Sequence, residues 1–142
     1  MGRQLTIMVR ILNFLLIPLI FLLLLVGFLH PIRAITQDLG RHLLTGQIIF
    51  ETHKIPKINL FSYAYPDFPF INHHWLSEVI FYLITKLGGF NLLLIFTTAI
   101  VIIAFALVFF SSLKKFNIIP IAIVSILYFQ ILFERTEVRP EI

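Results

Sequence analysis

Asp38 stands nine residues beyond Leu29, where an apolar stretch from Ile11 ends without having held a charged side chain. It opens the segment Asp38-Leu39-Gly40-Arg41-His42, and a loop rich in histidine, proline and aromatic residues follows. A carboxylate kept at the edge of a membrane is energetically costly, and such residues mark sites of proton or ion handling. With the basic residues Arg41 and His42 beside it, such a carboxylate could have a catalytic role. It also suits a plainer role in the first turn of a helix, where the macrodipole favours negative charge. The residue types alone leave both readings open.

Four of the five histidines lie between Arg41 and Trp75: His42, His53, His73 and His74. Zinc ligands come as close pairs, such as two histidines four apart on one helix. Here only His73 and His74 are close, and adjacent residues on a helix point about 100° apart. The spacing therefore supports no metal site, divalent or otherwise, and no cofactor is expected. Hydrogen bonding to an anionic headgroup or to a phosphate substrate fits these residues better. The chain has no cysteine, which excludes disulfides and thiolate metal centres. A glycine-rich phosphate loop, a Ser-His-Asp order and a nucleophile elbow are all missing from the sequence.

The elements that must position these residues belong to a membrane protein. The 142-residue chain is 59% hydrophobic and only 13% charged, against about 25% charged in soluble domains. Its net charge of +4 is spread thinly, with no basic run interleaved with aromatics, so nucleic acid is not an expected partner. A bilayer crossing takes about 20 residues of helix, and three segments qualify: 5–29, 90–113 and 116–133. The first contains Pro18, which should kink it. It has basic residues at its start, Arg3 and Arg10, but no clear small-x-small site follows it. It therefore reads as a retained anchor rather than a cleaved leader.

Between the first two spans lies a loop, 30–87, with internal organisation. Leu39, Leu43, Leu44 and Ile48 form an apolar stripe, with Asp38, Arg41, His42 and Thr45 on the opposite face, which predicts a surface helix over about 36–49. Thr36 is its expected N-cap. The next stretch, Phe50 to Trp75, carries three prolines and seven aromatics, which forbid a continuous helix. It reads either as an interfacial loop on the bilayer or as the wall of a cavity. A second amphipathic helix is expected over 75–87, including Ser77, Glu78, Tyr82 and Lys86, and Gly88-Gly89 separates it from the second span. The fold class is thus an all-α membrane protein: three transmembrane helices and two short amphipathic surface helices, in one membrane domain over 1–142.

Orientation follows from the short basic flanks. Arg3 and Arg10, and the turn Lys114-Lys115, have no acidic neighbour and read as cytoplasmic. The loop carries five Lys/Arg against four Asp/Glu between His30 and Lys86 and reads as extracytoplasmic. The tail with Arg135 and Arg139 falls on the same outer side.

The stretch from Asp38 to Phe90 resembles the first outer loop of multi-spanning bacterial membrane glycosyltransferases of the GT-C type. These include the protein O-mannosyltransferases and the lipid A aminoarabinose transferase. The pieces that carry the likeness are Asp-x-x-x-His-x-x-x-Gly (Asp38, His42, Gly46), the Ile55-Pro56 and Phe61-Ser62-Tyr63 runs, and His-x-Trp-Leu-Ser-Glu (His73, Trp75, Leu76, Ser77, Glu78). The resemblance spans about residues 5 to 140. Where the mannosyltransferase-like pattern has a second acid after the aspartate, this chain has Leu39.

The resemblance implies an inverting sugar transfer from a polyprenyl-phosphate-type donor to an acceptor hydroxyl at the outer face of a bacterial inner membrane. Asp38 would be the general base. Arg41, His73 and His74 from the loop, with Arg135 and Arg139 from the tail, would hold the leaving phosphate. His42 and Glu78, which carry the two motif blocks, join them as substrate-binding residues. The implied partners are the bilayer, the lipid-linked donor, and further transmembrane helices or a partner subunit. Such enzymes have about eight or more spans, so the chain is expected to be an N-terminal portion, inactive in isolation. The alternative class is a small non-enzymatic membrane subunit. A transporter fragment is disfavoured, because ion and substrate pathways place charges within the spans.

Overall fold

The computed structural model describes residues 2–29, 37–65 and 67–133. Among them the protein is helical, with four helices in the order α1 (Gly2–Phe28), α2 (Gln37–Thr52), α3 (Trp75–Leu113) and α4 (Ile118–Phe133), and no strand. The described chain forms two compact units. One contains α1, the part of α3 from Thr97 onward and α4; the other contains α2, the loop after it and α3 as far as Phe96.

Two helices are long and apolar enough to cross a membrane, α1 over Ile7–Phe28 and α3. The third expected span is shorter than the sequence suggests. The Lys115 and Phe116 amides both donate to the Ser112 carbonyl, at 2.9 Å each, so the chain turns through these residues and α4 starts only at Ile118. Its 16 residues extend about 24 Å at 1.5 Å per residue, against a hydrocarbon core of about 30 Å. Pro120 sits in its first turn, where its missing N–H leaves no helical bond unmade. α1 runs on through Pro18 to Phe28.

The first unit is held by a seam of large and small apolar side chains. Ile20, Leu24 and Phe28 of α1 are buried with Phe109 of α3 and with Ile118, Ala122 and Phe129 of α4. On α4, Ile118, Ala122, Ser125 and Phe129 recur at helical spacing and are all buried. Small residues such as Ala122 and Ser125 let membrane helices approach closely. Phe21 packs its ring at 5.5 Å from both Phe105 and Phe109, edge to face, and stacks on Phe110 at 5.8 Å. The opposite side of α4 leaves Ile119, Ile123, Val124, Ile126 and Leu127 exposed, an apolar face suited to hydrocarbon rather than water.

The second unit contains the loop. α2 reaches Thr52, three residues past its expected end, and His53 ends it with a positive φ of 58°, the left-handed geometry common after a helix C-terminus. The N-cap expected at Thr36 lies outside the described residues. Leu39 of α2 is buried against Phe81 and Leu93 of α3. Farther along, the Phe50 and Tyr82 rings lie 5.8 Å apart, and the Lys86 ammonium sits 5.6 Å and 5.7 Å from their centroids. The chain then doubles back. Ile58 and Pro69 form an antiparallel bridge, through Asn59 N–H to the Phe68 carbonyl at 3.0 Å and Phe70 N–H to the Lys57 carbonyl at 2.9 Å. Neither bond uses the N–H that proline lacks.

The glycine pair stands where the sequence divides a surface helix from a span. Helical geometry fails at Gly88 and Gly89, and Gly89 has φ 67° and ψ −167°, a region reserved for glycine. Gly89→Ala is expected to destabilise the protein by about 1–3 kcal/mol, read as a lowered thermal midpoint of helix content in detergent. An unchanged midpoint would show that the break does not depend on this conformation.

Candidate functional site

The site grows from a close contact between two helices. A Cβ at Gly46 would fall on the carbonyl of Glu78 and lie 3.1 Å from the Tyr82 Cβ. Only glycine lets α2 rest against the first turns of α3 here. One turn earlier on α2, His42 therefore meets the Glu78 side chain: His42 Nδ1 and Glu78 Oε1 are 2.7 Å apart, with the two side chains only 4% and 5% exposed.

The carboxylate is held on its other side as well. The Asn72 amide donates to Glu78 Oε2 at 2.5 Å. The Asn72 carbonyl oxygen in turn accepts the His74 backbone N–H at 2.9 Å, and the Glu78 N–H donates to the His74 carbonyl at 3.0 Å. Asn72 thus ties the end of the loop to the start of α3. Glu78 lies in the first turn of that helix, where the dipole favours negative charge. The His42 and His74 rings lie edge to face at 6.0 Å. Thr45, also buried, spends its hydroxyl on the Arg41 carbonyl at 2.8 Å.

A cavity of about 200 Å³ opens beside this cluster, lined by Arg41, His42, Asn72, His73, His74 and Glu78, with an apolar wall that includes Ile58, Phe61 and Phe70. The proline-rich stretch supplies this wall, while its Tyr63, Tyr65 and Phe68 are exposed. Such a cavity can take a small polar group, offering hydrogen-bonding groups from the histidines, Asn72 and Glu78 and a cation at Arg41.

Five of the sequence-derived candidates, Arg41, His42, His73, His74 and Glu78, come together at this cavity. Asp38 does not line it. It lies on the first turn of α2, half exposed, 3.7 Å from the Arg41 guanidinium. Arg135 and Arg139 lie outside the described residues. No group of three or more His, Cys, Asp or Glu among the described residues could hold a metal ion.

Sequence reasoning missed two features. His42 and Thr45 are not on a solvated face; with Leu39, Gly46 and Ile49 they form the buried face of α2, while Leu44 is exposed. Periodicity scores histidine and threonine as polar, and cannot register that a glycine one turn on admits a carboxylate partner. Asn72 was missed too. Its one signal is its position, two residues before the peptide group that it caps. Comparison with family models, curated proteins and solved structures finds no match to this chain, so its functional reading rests on these residues.

Proposed function

We propose that the protein is part of a membrane glycosyltransferase of the GT-C type. It moves a sugar from a polyprenyl-phosphate-type donor to an acceptor hydroxyl at the extracytoplasmic face of a bacterial inner membrane. The observation that carries this reading is the buried His42–Glu78–Asn72 cluster beside a cavity, in a chain with two membrane-length apolar helices. Buried polar groups that hydrogen-bond one another beside a cavity, rather than in a closed core, have the form of a working site. The motif blocks that resemble the GT-C outer loop, around His42 and Gly46 and around Glu78, are the ones that meet there. Arg41 and His73 supply donors for the phosphate of the donor lipid. The rings of Tyr63, Tyr65 and Trp75 suit the headgroup layer, where such a donor presents its sugar.

The reading requires the loop to face outward, as the basic flanks at Arg10 and Lys114-Lys115 suggest. The protein has no cysteine, so single cysteines report position without background. Tyr63→Cys is expected to react with a membrane-impermeant maleimide in intact spheroplasts, and Lys114→Cys only after permeabilisation. The opposite pattern would remove the site from the side where the reading needs it.

A further inference from the structure

We infer that His42 is the group that accepts a proton from a ligand hydroxyl in this cavity, with Glu78 and Asn72 as its positioning residues. The inference rests on the transferase reading in one respect: the hydroxyl is that of the sugar acceptor. The resemblance gives this role to Asp38, and the geometry points one turn farther along the same helix.

An ionised carboxylate only accepts hydrogen bonds. Glu78 Oε1 lies 2.7 Å from His42 Nδ1, so Nδ1 carries the hydrogen and the neutral ring keeps its lone pair on Nε2. No hydrogen bond is made to Nε2 among the described residues, and His42 lines the cavity. The cavity is thereby offered a nitrogen that accepts, which selects a ligand with a hydroxyl. The orienting group is itself fixed. Asn72 occupies Glu78 Oε2, the His74 amide holds Asn72, and the α2 backbone at Gly46 abuts the Glu78 carbonyl. A base whose partner is oriented by a third group is the arrangement that proton transfer from a nucleophile requires. Asp38 has none of this support. It is half exposed, is paired with Arg41 on its own helix, and does not line the cavity.

In the step itself, the acceptor O–H gives its proton to Nε2 while its oxygen bonds to the anomeric carbon. The bond from that carbon to the phosphate oxygen breaks, and its electron pair leaves with the lipid phosphate. Glu78 stabilises the imidazolium without taking the proton. The proton then passes from Nε2 to the departing phosphate or to water.

Two measurements test this, the first of them without any catalysis. With isotope-labelled histidine in the detergent-solubilised protein, nuclear magnetic resonance should show His42 protonated on Nδ1 and bare on Nε2. The Nε2 signal should move when methyl glucoside is added. A ring protonated on Nε2 and bare on Nδ1, or an Nε2 that ignores the glucoside, overturns the inference. The second follows transfer from a radiolabelled polyprenyl-phosphate hexose, in membranes carrying the protein at its native locus. His42→Gln should lower kcat by about 100-fold or more. The donor KM should stay within about 2-fold, as for an interaction made only in the transition state, while Asp38→Asn should lower kcat by less than about 10-fold. Wild-type turnover in His42→Gln, or a larger loss in Asp38→Asn, overturns it. If the wild-type protein transfers no hexose, the transferase reading fails, and the resonance result then decides the proton-accepting site alone.

Discussion

Gly46→Ala is expected to disrupt the second unit more than any other substitution that adds a single methyl group. The new Cβ falls on the backbone carbonyl of Glu78, and a carbonyl within a helix cannot rotate aside as a side-chain tip can. α2 must therefore back away from α3 as a body, although alanine is the better helix former. Overpacking of this kind costs about 1–3 kcal/mol, and more when backbone must shift; the upper end is expected here. Separation would also lengthen the 2.7 Å contact between His42 and Glu78, so function should fall together with stability. Heat denaturation of the detergent-solubilised variant, with helix content as the signal, gives the first quantity. A variant as stable as the parent would show that the helices do not meet at this glycine.

Glu78→Ala carries the second large effect. It leaves the His42 ring and the Asn72 amide buried without their shared acceptor, at about 1–3 kcal/mol for each of the two unsatisfied groups. Glu78→Gln separates charge from shape. A glutamine has one acceptor oxygen where the native site uses two, one for His42 and one for Asn72. It can satisfy only one donor and turns its own NH2 toward the other. The loss should therefore be intermediate, about 1–3 kcal/mol for one unsatisfied buried group. The order parent, glutamine, alanine in the same heat denaturation is the expected result. Equal stability of all three would mean that the carboxylate does not hold the loop to α2.

Much of the fold is legible from hydropathy and from glycine and proline alone. The length of α1, the helical nature of α2 and the break at Gly88-Gly89 each follow from local rules that need no tertiary contact. The start of α4 was misplaced by two residues, because Phe116 is apolar yet belongs to the turn that follows Ser112. The site was legible as a set of residues but not as an arrangement. Arg41, His42, His73, His74 and Glu78 stand out by type, and five polar groups in an apolar chain are conspicuous. Their pairing was hidden because His42 and Glu78 are 36 residues apart and meet only where Gly46 removes a side chain. The same contact inverts the reading of α2: its buried face carries His42 and Thr45, while Leu44 faces outward. A pattern that counts apolar residues finds the wrong face whenever the buried one is lined by a satisfied polar network.

The central claim is a transfer reaction that depends on the cluster at the cavity. Its most direct test compares membranes from cells carrying the native gene with membranes from a strain in which it is deleted. Both are supplied with radiolabelled polyprenyl-phosphate hexose, and label appearing in acceptor material is followed. The expected result is transfer that requires the gene and is lost when Glu78→Ala replaces the parent. Equal transfer in the two strains, across donors that differ in the hexose they carry, would contradict the reading.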